Sequence, residues 1–266
     1  MNYAISFMPI STPLINKQKV ASAFGRAAHS YEQHNELQRR TGNALLALLG
    51  AKQPEHALLG LDLGCGSGWF APALKQKAEQ LLALDLSPAM LQQAQHKADI
   101  LPICADMDTQ PLAEHSLDWI FANLCLQWSA DPAAWLANWS RRLKPGGVLV
   151  FATLIEGSLF ELAECWQHQG QPSPVNRFIS HSKLEQHLAA TGRRWQCQAA
   201  TEQLAYPNLK ALLLDLKGIG ANRVNDERRS GLMGKHTWQQ LNLTYPVNNQ
   251  GHCVATYRLA YGVIYG

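Results

Sequence analysis

The sequence predicts an α/β fold: a mostly parallel sheet of seven strands with helices on both faces. Three observations predict it. Short apolar runs alternate with helical patterns between residues 58 and 154, and continuous apolar strands are typical of a parallel sheet covered on both faces. The first run breaks into a glycine-rich turn, Gly64 to Gly68, and the second ends in a carboxylate, Asp85.

Composition excludes several classes of protein. The chain has 266 residues, 47% hydrophobic and 16% charged, which is typical of a globular domain rather than a disordered chain. A net charge of +3 is too small for a dedicated nucleic-acid binder. No apolar run reaches the ~18 residues of a membrane span. We therefore expect no nucleic acid and no membrane as partners.

The cysteines and the start of the chain bear on compartment and metal binding. The six cysteines are scattered singly, without a CxxC pair or a histidine cluster, so we expect buried thiols and no metal. The first sixteen residues contain no Lys or Arg. Since a secretory signal needs a basic start, we expect a cytoplasmic protein.

The front of the chain reads as a helical arm. Residues 1 to about 18 look loose, and apolar residues then recur three or four apart from Lys19 to Leu49. Within that stretch, Leu37 to Leu49 forms a second helical pattern that Gly50 can end. Tyr31 lies on the amphipathic part of this arm.

Strand–turn–helix units follow. We expect the strands at Leu58–Leu63, Leu81–Leu86, Leu101–Ala105, Leu117–Ala122 and Val148–Leu154, and the helices at Trp69–Ala78, Ser87–Ala98 and Pro132–Leu143. Ser87-Pro88 is typical of an N-cap followed by a first-turn proline. Lys144-Pro145-Gly146-Gly147 is expected to stop the third helix.

The pattern weakens after residue 155. We expect helices at Ser158–Gln167, Ser182–Ala190 and Leu209–Leu216, and strands at Arg194–Ala200 and Val254–Tyr265. The expected organisation is a single domain: an arm (1–50), a ligand-binding core (57–155), substrate-side helices with a strand and lid insertions (156–250), and a closing strand (251–266). Residues 157–180 and 205–250 are expected to form the lid.

Three carboxylates accompany the glycine turn. Asp62 precedes it, Asp85 closes the second strand and Asp106 follows the third. Ligands of open α/β sheets bind at the carboxyl ends of the strands, and glycines let a ligand approach the backbone closely. Asp85 lies 85 − 68 = 17 positions past the last glycine, close to the ~20 typical of a ribose-binding acid.

Other interpretations of this turn stay open. A nicotinamide-binding fold requires G-x-G-x-x-G, but here the third glycine falls one position early and Trp69 occupies the expected place. Asp62 can also cap the next helix, Asp106 can be a plain turn residue, and Leu86 and Met107 can belong to the core. A nicotinamide reductase and a non-catalytic nucleotide-binding module remain alternatives.

The runs LDLGCGSGWF, ALDLSPAML and LKPGGVLVF resemble class I S-adenosylmethionine-dependent methyltransferases over Leu58 to Thr153. The flanking segments AFGRAAHSYEQHNELQ, NLCLQW, TLIEGSLFEL, NRF and LKGIGAN extend the resemblance to the malonyl-[acyl-carrier protein] O-methyltransferases of biotin synthesis. The match is weakest from Arg223 to Gln250. The resemblance implies a Rossmann-like class I methyltransferase fold and methyl transfer to the free carboxylate of a malonyl thioester.

The resemblance also implies roles for individual residues. The loop of Gly64, Cys65, Gly66 and Gly68 would pass the methionine part of S-adenosylmethionine, and Asp62 would lie near its ammonium group. Asp85 would hold the ribose, while Asp106 would reach the adenine amino group. Leu86 would pack on adenine, Met107 would lie beside Asp106, and Asn123 and Leu124 would face the methionine moiety. Tyr31 would lie over the methyl-transfer site, and S-adenosylhomocysteine would be the product.

Substrate binding sets a requirement of its own. An ionised carboxylate needs no general base, since unperturbed carboxyls titrate near ~4. It does need a cation that steers one oxygen and leaves the other reactive. We expect Arg177 or Lys217 to supply it, ahead of Arg223 and Arg228, with Trp128 as pocket wall. A solvated surface charge remains the alternative for each cation.

The partner implied by the resemblance is an acidic acyl carrier protein or coenzyme A, bound by a protein expected to be a monomer. A basic rim would speed the encounter with an acidic carrier, and its candidate members are Arg193, Arg194, Arg223, Arg228, Arg229 and Lys235. Two further alternatives stay open: methylation of another small acid, and methylation of a quinone-type carbon.

Overall fold

A computed structural model describes residues 17, 22, 24–26, 31–109, 111–171, 173–218 and 234–266. The expected loose arm therefore lies outside the described residues, apart from Lys17. The same holds for the lid segment 219–233, which includes Arg223, Arg228 and Arg229.

Seven strands form one sheet in the order β3-β2-β1-β4-β5-β7-β6, in which β7 pairs antiparallel with both of its neighbours and the other pairs are parallel. The seven-stranded, mostly parallel sheet predicted from the sequence is confirmed. The strands are β1 (Leu59–Leu63), β2 (Gln80–Asp85), β3 (Leu101–Cys104), β4 (Leu117–Asn123), β5 (Leu143–Leu154), β6 (Trp195–Tyr206) and β7 (Cys253–Tyr265).

Helices cover both faces because the strands present apolar side chains alternately to each side. The described α-helices are α1 (Glu36–Lys52), α2 (Ala71–Lys75), α3 (Pro88–Gln95), α4 (Pro132–Arg141), α5 (Phe160–His168), α6 (His181–Ala190), α7 (Leu209–Gly218) and α8 (Lys235–Thr244). Helices α1, α2 and α3 pack on the face of Trp119 and Phe121. Helices α4 and α6 pack on the face of Ile120 and Phe151.

The late helices build a third apolar cluster at the end of the sheet where β4 and β5 terminate. Helices α5, α7 and α8 pack there against the last residues of β6 and the first residues of β7. Leu37 of α1 and Leu124, which follows β4, belong to the same cluster. The cluster thus encloses the space next to the carboxyl ends of the central strands.

Several element boundaries differ from the prediction. Helix α4 ends at Arg141, and β5 begins at Leu143 and runs through the segment expected to be a helix stop. The pairing of β4 with β5 shifts register here, because Leu117 pairs with Leu143 whereas Trp119 pairs with Val148. A bulge of this kind lets two strands stay paired on both sides of the extra residues. The carboxylate of Asp118 fixes the step by accepting from the backbone N–H of Leu59 (2.8 Å) and from Lys144 Nζ (2.8 Å).

Other boundaries shift for simpler reasons. Helix α1 continues through Gly50 to Lys52, and α2 spans only five residues. Strand β6 extends to Tyr206 because every residue from Trp195 onward finds a partner in β7. Tyr31 lies in a 3₁₀ turn (Tyr31–Gln33) rather than in a long arm helix.

Arg193 and Arg194 lie at the edge of the sheet opposite the glycine turn. Trp195 pairs with Ile264, which pairs with Leu149 near the start of β5, and the guanidinium of Arg194 stacks on Tyr265 at 3.9 Å. The prediction that Arg193 and Arg194 belong to a basic rim at the site is therefore wrong. No helix within the described ranges is long and apolar enough to cross a lipid bilayer.

Candidate functional site

A cleft opens at the carboxyl ends of β1, β2 and β4, where the strand order reverses and ligands bind in this class of sheet. About 630 Å³ in this carboxyl-edge cleft is not filled by protein, within the roughly 300–1,000 Å³ typical of ligand sites. Its lining comprises Lys17, Phe24, Tyr31, Gly64, Gly66, Leu84, Asp85, Leu86, Ala105, Asp106, Met107, Asn123, Leu124, Cys125 and Trp128.

Asp85 holds the glycine loop in place. Its two carboxylate oxygens accept hydrogen bonds from the backbone N–H of Gly66 (2.9 Å) and from that of Ser87 (2.8 Å). Gly66 adopts φ +54° and lines the cleft, and a Cβ there would lie 3.8 Å from the Tyr31 ring, an ordinary contact distance. At Gly68, with φ +73°, a Cβ would lie only 2.5 Å from that of Ala94. Gly66 therefore borders the cleft, whereas Gly68 serves the packing of α3.

Asp62 and Asp85 place two carboxyl groups close together beside this loop. Asp62 is 4% exposed. Its burial, and then the neighbouring charge of Asp85, raise its pKa to about 8. Burial also raises the pKa of Asp85, although backbone N–H groups partly offset the effect. Within the described part of the chain, no Lys, Arg or His forms an ion pair with either carboxylate. The pair is therefore suited to a cationic ligand.

At the far end of the cleft, a lysine is already paired with the carboxylates. Lys17 Nζ lies 3.0 Å from an oxygen of Asp106 and 2.7 Å from an oxygen of Asp108. Ser129 donates a hydrogen bond to Asp108 at 2.6 Å. Within the described ranges, the carboxyl groups of the cleft that lack a cationic partner thus lie at its Asp62–Asp85 end.

The structure brings most of the residues predicted to bind the cofactor together around one cleft. Those that line it are Gly64, Gly66, Asp85, Leu86, Asp106, Met107, Asn123 and Leu124. Three predicted residues do not line it. Asp62 lies buried behind the glycine loop, the Cys65 thiol points back toward the Gly66 carbonyl at 3.5 Å, and Gly68 packs on Ala94.

A second, apolar cavity adjoins the cleft. It holds about 870 Å³ of empty space, part of it open to solvent. Its walls come from the arm, α1, the residues after β4 and β5, α5, the 174–178 segment, α7 and β7. The lining residues are Phe24, Tyr31, Leu37, Gln38, Leu124, Gln127, Trp128, Leu154, Leu159, Leu162, Pro174, Val175, Asn176, Phe178, Leu213, Leu216 and Tyr257.

Three aromatic side chains lie at the junction between the apolar cavity and the cleft. Phe24, Tyr31 and Trp128 line both spaces. Phe24 lies edge-on to Trp128 with ring centroids 5.5 Å apart, and its centroid lies 6.4 Å from that of Tyr31. Aromatic faces attract cations when desolvated. This junction can therefore accommodate a positively charged centre between two ligands.

The groups at the junction stay protonated. Burial, and then the charge of Asp85, raise the pKa of Tyr31 well above its ordinary value. Burial and Asp62 do the same for the Cys125 thiol. A neutral thiol is a poor nucleophile, and a phenol with a raised pKa is a poor general base. The junction can therefore orient and desolvate ligands, but it does not supply a base.

A hydrogen-bonded network fixes the wall formed by β7 and α7. The Tyr206 hydroxyl donates to Asp215 at 2.8 Å and is hydrogen-bonded to Tyr257, which lines the apolar cavity. The other oxygen of Asp215 lies 3.0 Å from His34 Nδ1. The network ties α7 to the arm, so the apolar cavity is held closed on this side.

The two cations predicted to bind the substrate do not enter the apolar cavity. Arg177 and Lys217 are exposed, although Asn176, Phe178 and Leu216 beside them in the chain line the cavity. They lie at its rim, facing outward. Trp128, predicted as pocket wall, does line the cavity.

Sequence reasoning did not identify several lining residues. Lys17, Phe24, Gln38, Asn176 and Tyr257 line one or both spaces. Phe24 and Asn176 lie in segments that carry the family resemblance, so the sequence offered a signal that they belong to the site. For Lys17 and Tyr257 the sequence offered no such signal. Within the described ranges, no cluster of His, Cys, Asp or Glu is arranged to hold a metal.

Comparison with known proteins gives a consistent result. Residues 61–151 match the methyltransferase domain family. The malonyl-[acyl-carrier protein] O-methyltransferase of Erwinia pyrifoliae is 40% identical over 251 residues, which span 94% of each chain. The proteins of the same name from Serratia marcescens (39% identity, 97% of this chain and 99% of that one) and Pectobacterium atrosepticum (40%, 94% and 97%) are equally similar.

Solved structures share the fold. The YcgJ protein of Bacillus subtilis superposes with a TM-score of 0.60 at 16% identity, covering 84% of this chain and 98% of that one. An S-adenosylmethionine-dependent methyltransferase of Thermotoga maritima gives 0.54 at 16% identity, covering 92% and 99%. At this level of identity the comparison supports the architecture alone.

The raised pKa of Asp62 makes a prediction about stability. Unfolded Asp titrates near ~4, so between that pH and about 8 the folded state binds more protons at Asp62 than the unfolded state. Stability contributed by this group therefore falls as pH rises across that interval. Asp62→Asn mimics the protonated form. It should raise the melting temperature of the ligand-free protein at pH 9 by at least about 3 °C, roughly the effect of 1 kcal/mol, and change it little at pH 5.

Thermal melts across pH test this prediction. Asp99→Asn is the matched control, because the Asp99 side chain is 91% exposed. A gain of equal size at both pH values would contradict the titration of Asp62.

Proposed function

The chain belongs to the malonyl-[acyl-carrier protein] O-methyltransferase family, and from this we propose that it transfers a methyl group to the free carboxylate of a malonyl thioester. The observation that carries the proposal is the meeting of two different spaces at one aromatic junction. The carboxyl-edge cleft is acidic and suited to a cation, whereas the apolar cavity suits a short acyl group. The methyl ester would lose the charge of the malonyl group and could prime pimeloyl synthesis for biotin.

The methyl donor is S-adenosylmethionine, which when bound supplies an electrophilic methyl group on a positively charged sulfur. The residues present fit it. Asp85 offers carboxylate oxygens for the ribose hydroxyls, and Leu86 and Met107 offer apolar surface for adenine. The carboxyl groups of Asp62 and Asp85, which have no ion-pair partner within the described ranges, and the cleft surface at Gly66 suit the methionine part, next to Asn123 and Leu124. Asp106 would accept from the adenine amino group.

The chemistry then asks for alignment rather than acid–base groups. The malonyl carboxylate is ionised at neutral pH, and it is already the nucleophile. Tyr31, Phe24 and Trp128 exclude water from the junction and restrict the approach of the two ligands. Orientation of this kind supplies up to ~7–11 kcal/mol of the barrier reduction. The protonated state of Cys125 keeps that thiol from competing as the acceptor.

Arg177 and Lys217 fit a different role from the one predicted. Because they are exposed at the rim of the apolar cavity, we place them on the carrier side of the substrate. The malonyl thioester reaches the cavity on a phosphopantetheine arm, whose phosphate stays at the surface beside the acidic carrier. Arg and Lys bind phosphate and carboxylate well at such a solvated position.

The activity itself is tested with purified protein, labelled S-adenosylmethionine and a panel of acceptors. Methyl transfer is expected to malonyl-acyl-carrier protein and to malonyl-CoA. We expect much less transfer to succinyl-CoA and to a quinone precursor. Calorimetry should detect binding of S-adenosylhomocysteine and no binding of NADH. Transfer to the quinone precursor alone, or binding of NADH alone, would contradict the proposal.

Asp85→Ala tests the cofactor assignment. The substitution removes the carboxylate for the ribose and also frees the N–H groups of Gly66 and Ser87. Loss of a charged hydrogen-bond acceptor costs roughly 1.5–3 kcal/mol, so calorimetry should show S-adenosylhomocysteine binding at least about tenfold weaker. Asp99→Ala serves as the surface control. Unchanged affinity in Asp85→Ala would remove Asp85 from the site.

Charge removal at the rim tests the carrier assignment. Arg177→Ala and Lys217→Ala should each raise KM for malonyl-acyl-carrier protein by roughly threefold, the scale of an exposed charge contact, with a smaller salt dependence of kcat/KM. Cofactor affinity should stay unchanged. Arg194→Ala, on the opposite edge of the sheet, is the matched control. An equal effect in that variant would argue against a rim contact.

A further inference from the structure

The apolar cavity presents a problem for a substrate that carries a negative charge. No Lys or Arg lines the cavity within the described part of the chain, and Arg177 and Lys217 face solvent. An unpaired carboxylate in an apolar site is costly unless hydrogen-bond donors receive it. The polar side chains of the lining are Tyr31, Gln38, Gln127, Trp128, Asn176 and Tyr257.

Two of these side chains are already committed elsewhere. Gln127 donates to the Leu124 carbonyl at 2.8 Å and accepts from the Thr153 hydroxyl at 3.2 Å. Tyr257 is bonded to Tyr206, within the network that ends at Asp215. Both side chains are therefore held in place by contacts within the protein.

Gln38 is the incomplete member of the set. The position of its Oε1 atom is fully buried and has no hydrogen-bond partner, although buried polar atoms are almost always paired. The backbone of the same residue is well fixed, because the Asn123 side-chain amide donates to the Gln38 carbonyl at 2.9 Å. Asn123 lines the carboxyl-edge cleft. Gln38 itself lines the apolar cavity, so this contact lies at the boundary between the cavity and the cleft.

A fully buried atom offers a ligand no surface, so the substrate does not meet Oε1 itself. Gln38 nevertheless lines the cavity, and its amide N–H₂ group makes no hydrogen bond within the described ranges. A carboxylate oxygen can accept a hydrogen bond from such an unused donor. Asn176 lines the same cavity, and its side-chain amide makes no hydrogen bond within the described ranges.

We propose that the primary amides of Gln38 and Asn176 receive the malonyl carboxylate by N–H donation. The inference rests on the proposed function and names the carboxylate subsite of that site. Neutral donors orient the carboxylate without neutralising it, so the oxygen that faces the junction keeps its nucleophilic character. Methylation removes the charge, and the same amides then hold the neutral ester less strongly, which favours product release.

The proposal is tested by comparing ligands that differ only in the charge of the malonyl end. Binding of malonyl-CoA and of its methyl ester is followed by tryptophan fluorescence with S-adenosylhomocysteine present. Gln38→Met keeps the length of the side chain and removes its donors. The substitution should weaken binding of malonyl-CoA at least about tenfold, whereas the affinity for the methyl ester should change by less than about threefold. Asn176→Ala should show the same selectivity. Gln38→Glu, which adds a like charge, should affect malonyl-CoA most.

Controls separate this subsite from general damage. Arg177→Ala, next to Asn176 but exposed, should not distinguish the acid from the ester, because both carry the same phosphate. S-adenosylhomocysteine affinity should stay within about twofold in every variant. Equal loss for acid and ester, or no loss in Gln38→Met, would overturn the subsite. Absence of methyl transfer to any malonyl thioester by the unsubstituted protein would instead overturn the proposed function.

Discussion

The carboxylate of Asp85 is the interaction on which the site depends. It ends β2 and bonds two loops at once, through the N–H of Gly66 after β1 and the N–H of Ser87 before α3. The glycine loop can curve toward the cleft only because this acceptor replaces water at its backbone donors. The same oxygens lie close enough to Asp62 to raise the pKa of that group. Asp85 therefore fixes both the shape and the charge of the cleft.

The two ends of the cleft carry different charge. Lys17 pairs with Asp106 and Asp108 at the β3 end, whereas Asp62 and Asp85 have no such partner within the described ranges. A cation entering the cleft gains most where the unpaired carboxylates lie, beside the glycine loop. The gradient therefore orients a ligand that is cationic at one end and aromatic at the other. Leu86 and Met107 supply the apolar end.

The sequence predicted features that local chemistry determines. An apolar run before glycines and a serine–proline pair before a helix need no tertiary information, so the loop, Asp85 and the start of α3 lay where expected. The course of β5 through Lys144 to Gly147 could not be foreseen, because it depends on extra residues that β5 accommodates opposite Asp118 and on the contacts of Asp118.

The substrate side was harder for a physical reason. Residues 174–178 have no regular period, so the sequence could not show that Asn176 and Phe178 turn inward while Arg177 turns outward. Tyr206 and Tyr257 lie on two paired strands that are distant in the chain, so their contact depends on the tertiary fold. Gln38 lies in the first turn of α1, where a polar residue is also ordinary on a solvated face.

The uncharged lining of the described cavity wall fits the reaction. A cation paired with the attacking oxygen would bind the carboxylate more strongly in the ground state than in the transition state, where that oxygen loses its charge, and would therefore not raise kcat. Apolar walls with amide donors remove water and leave the charge on the attacking oxygen, whose energy falls as that charge is lost in the transition state. The cations at the rim can then serve capture of the carrier. The division between outer cations and an uncharged inner wall separates recognition of the carrier from activation of the acid.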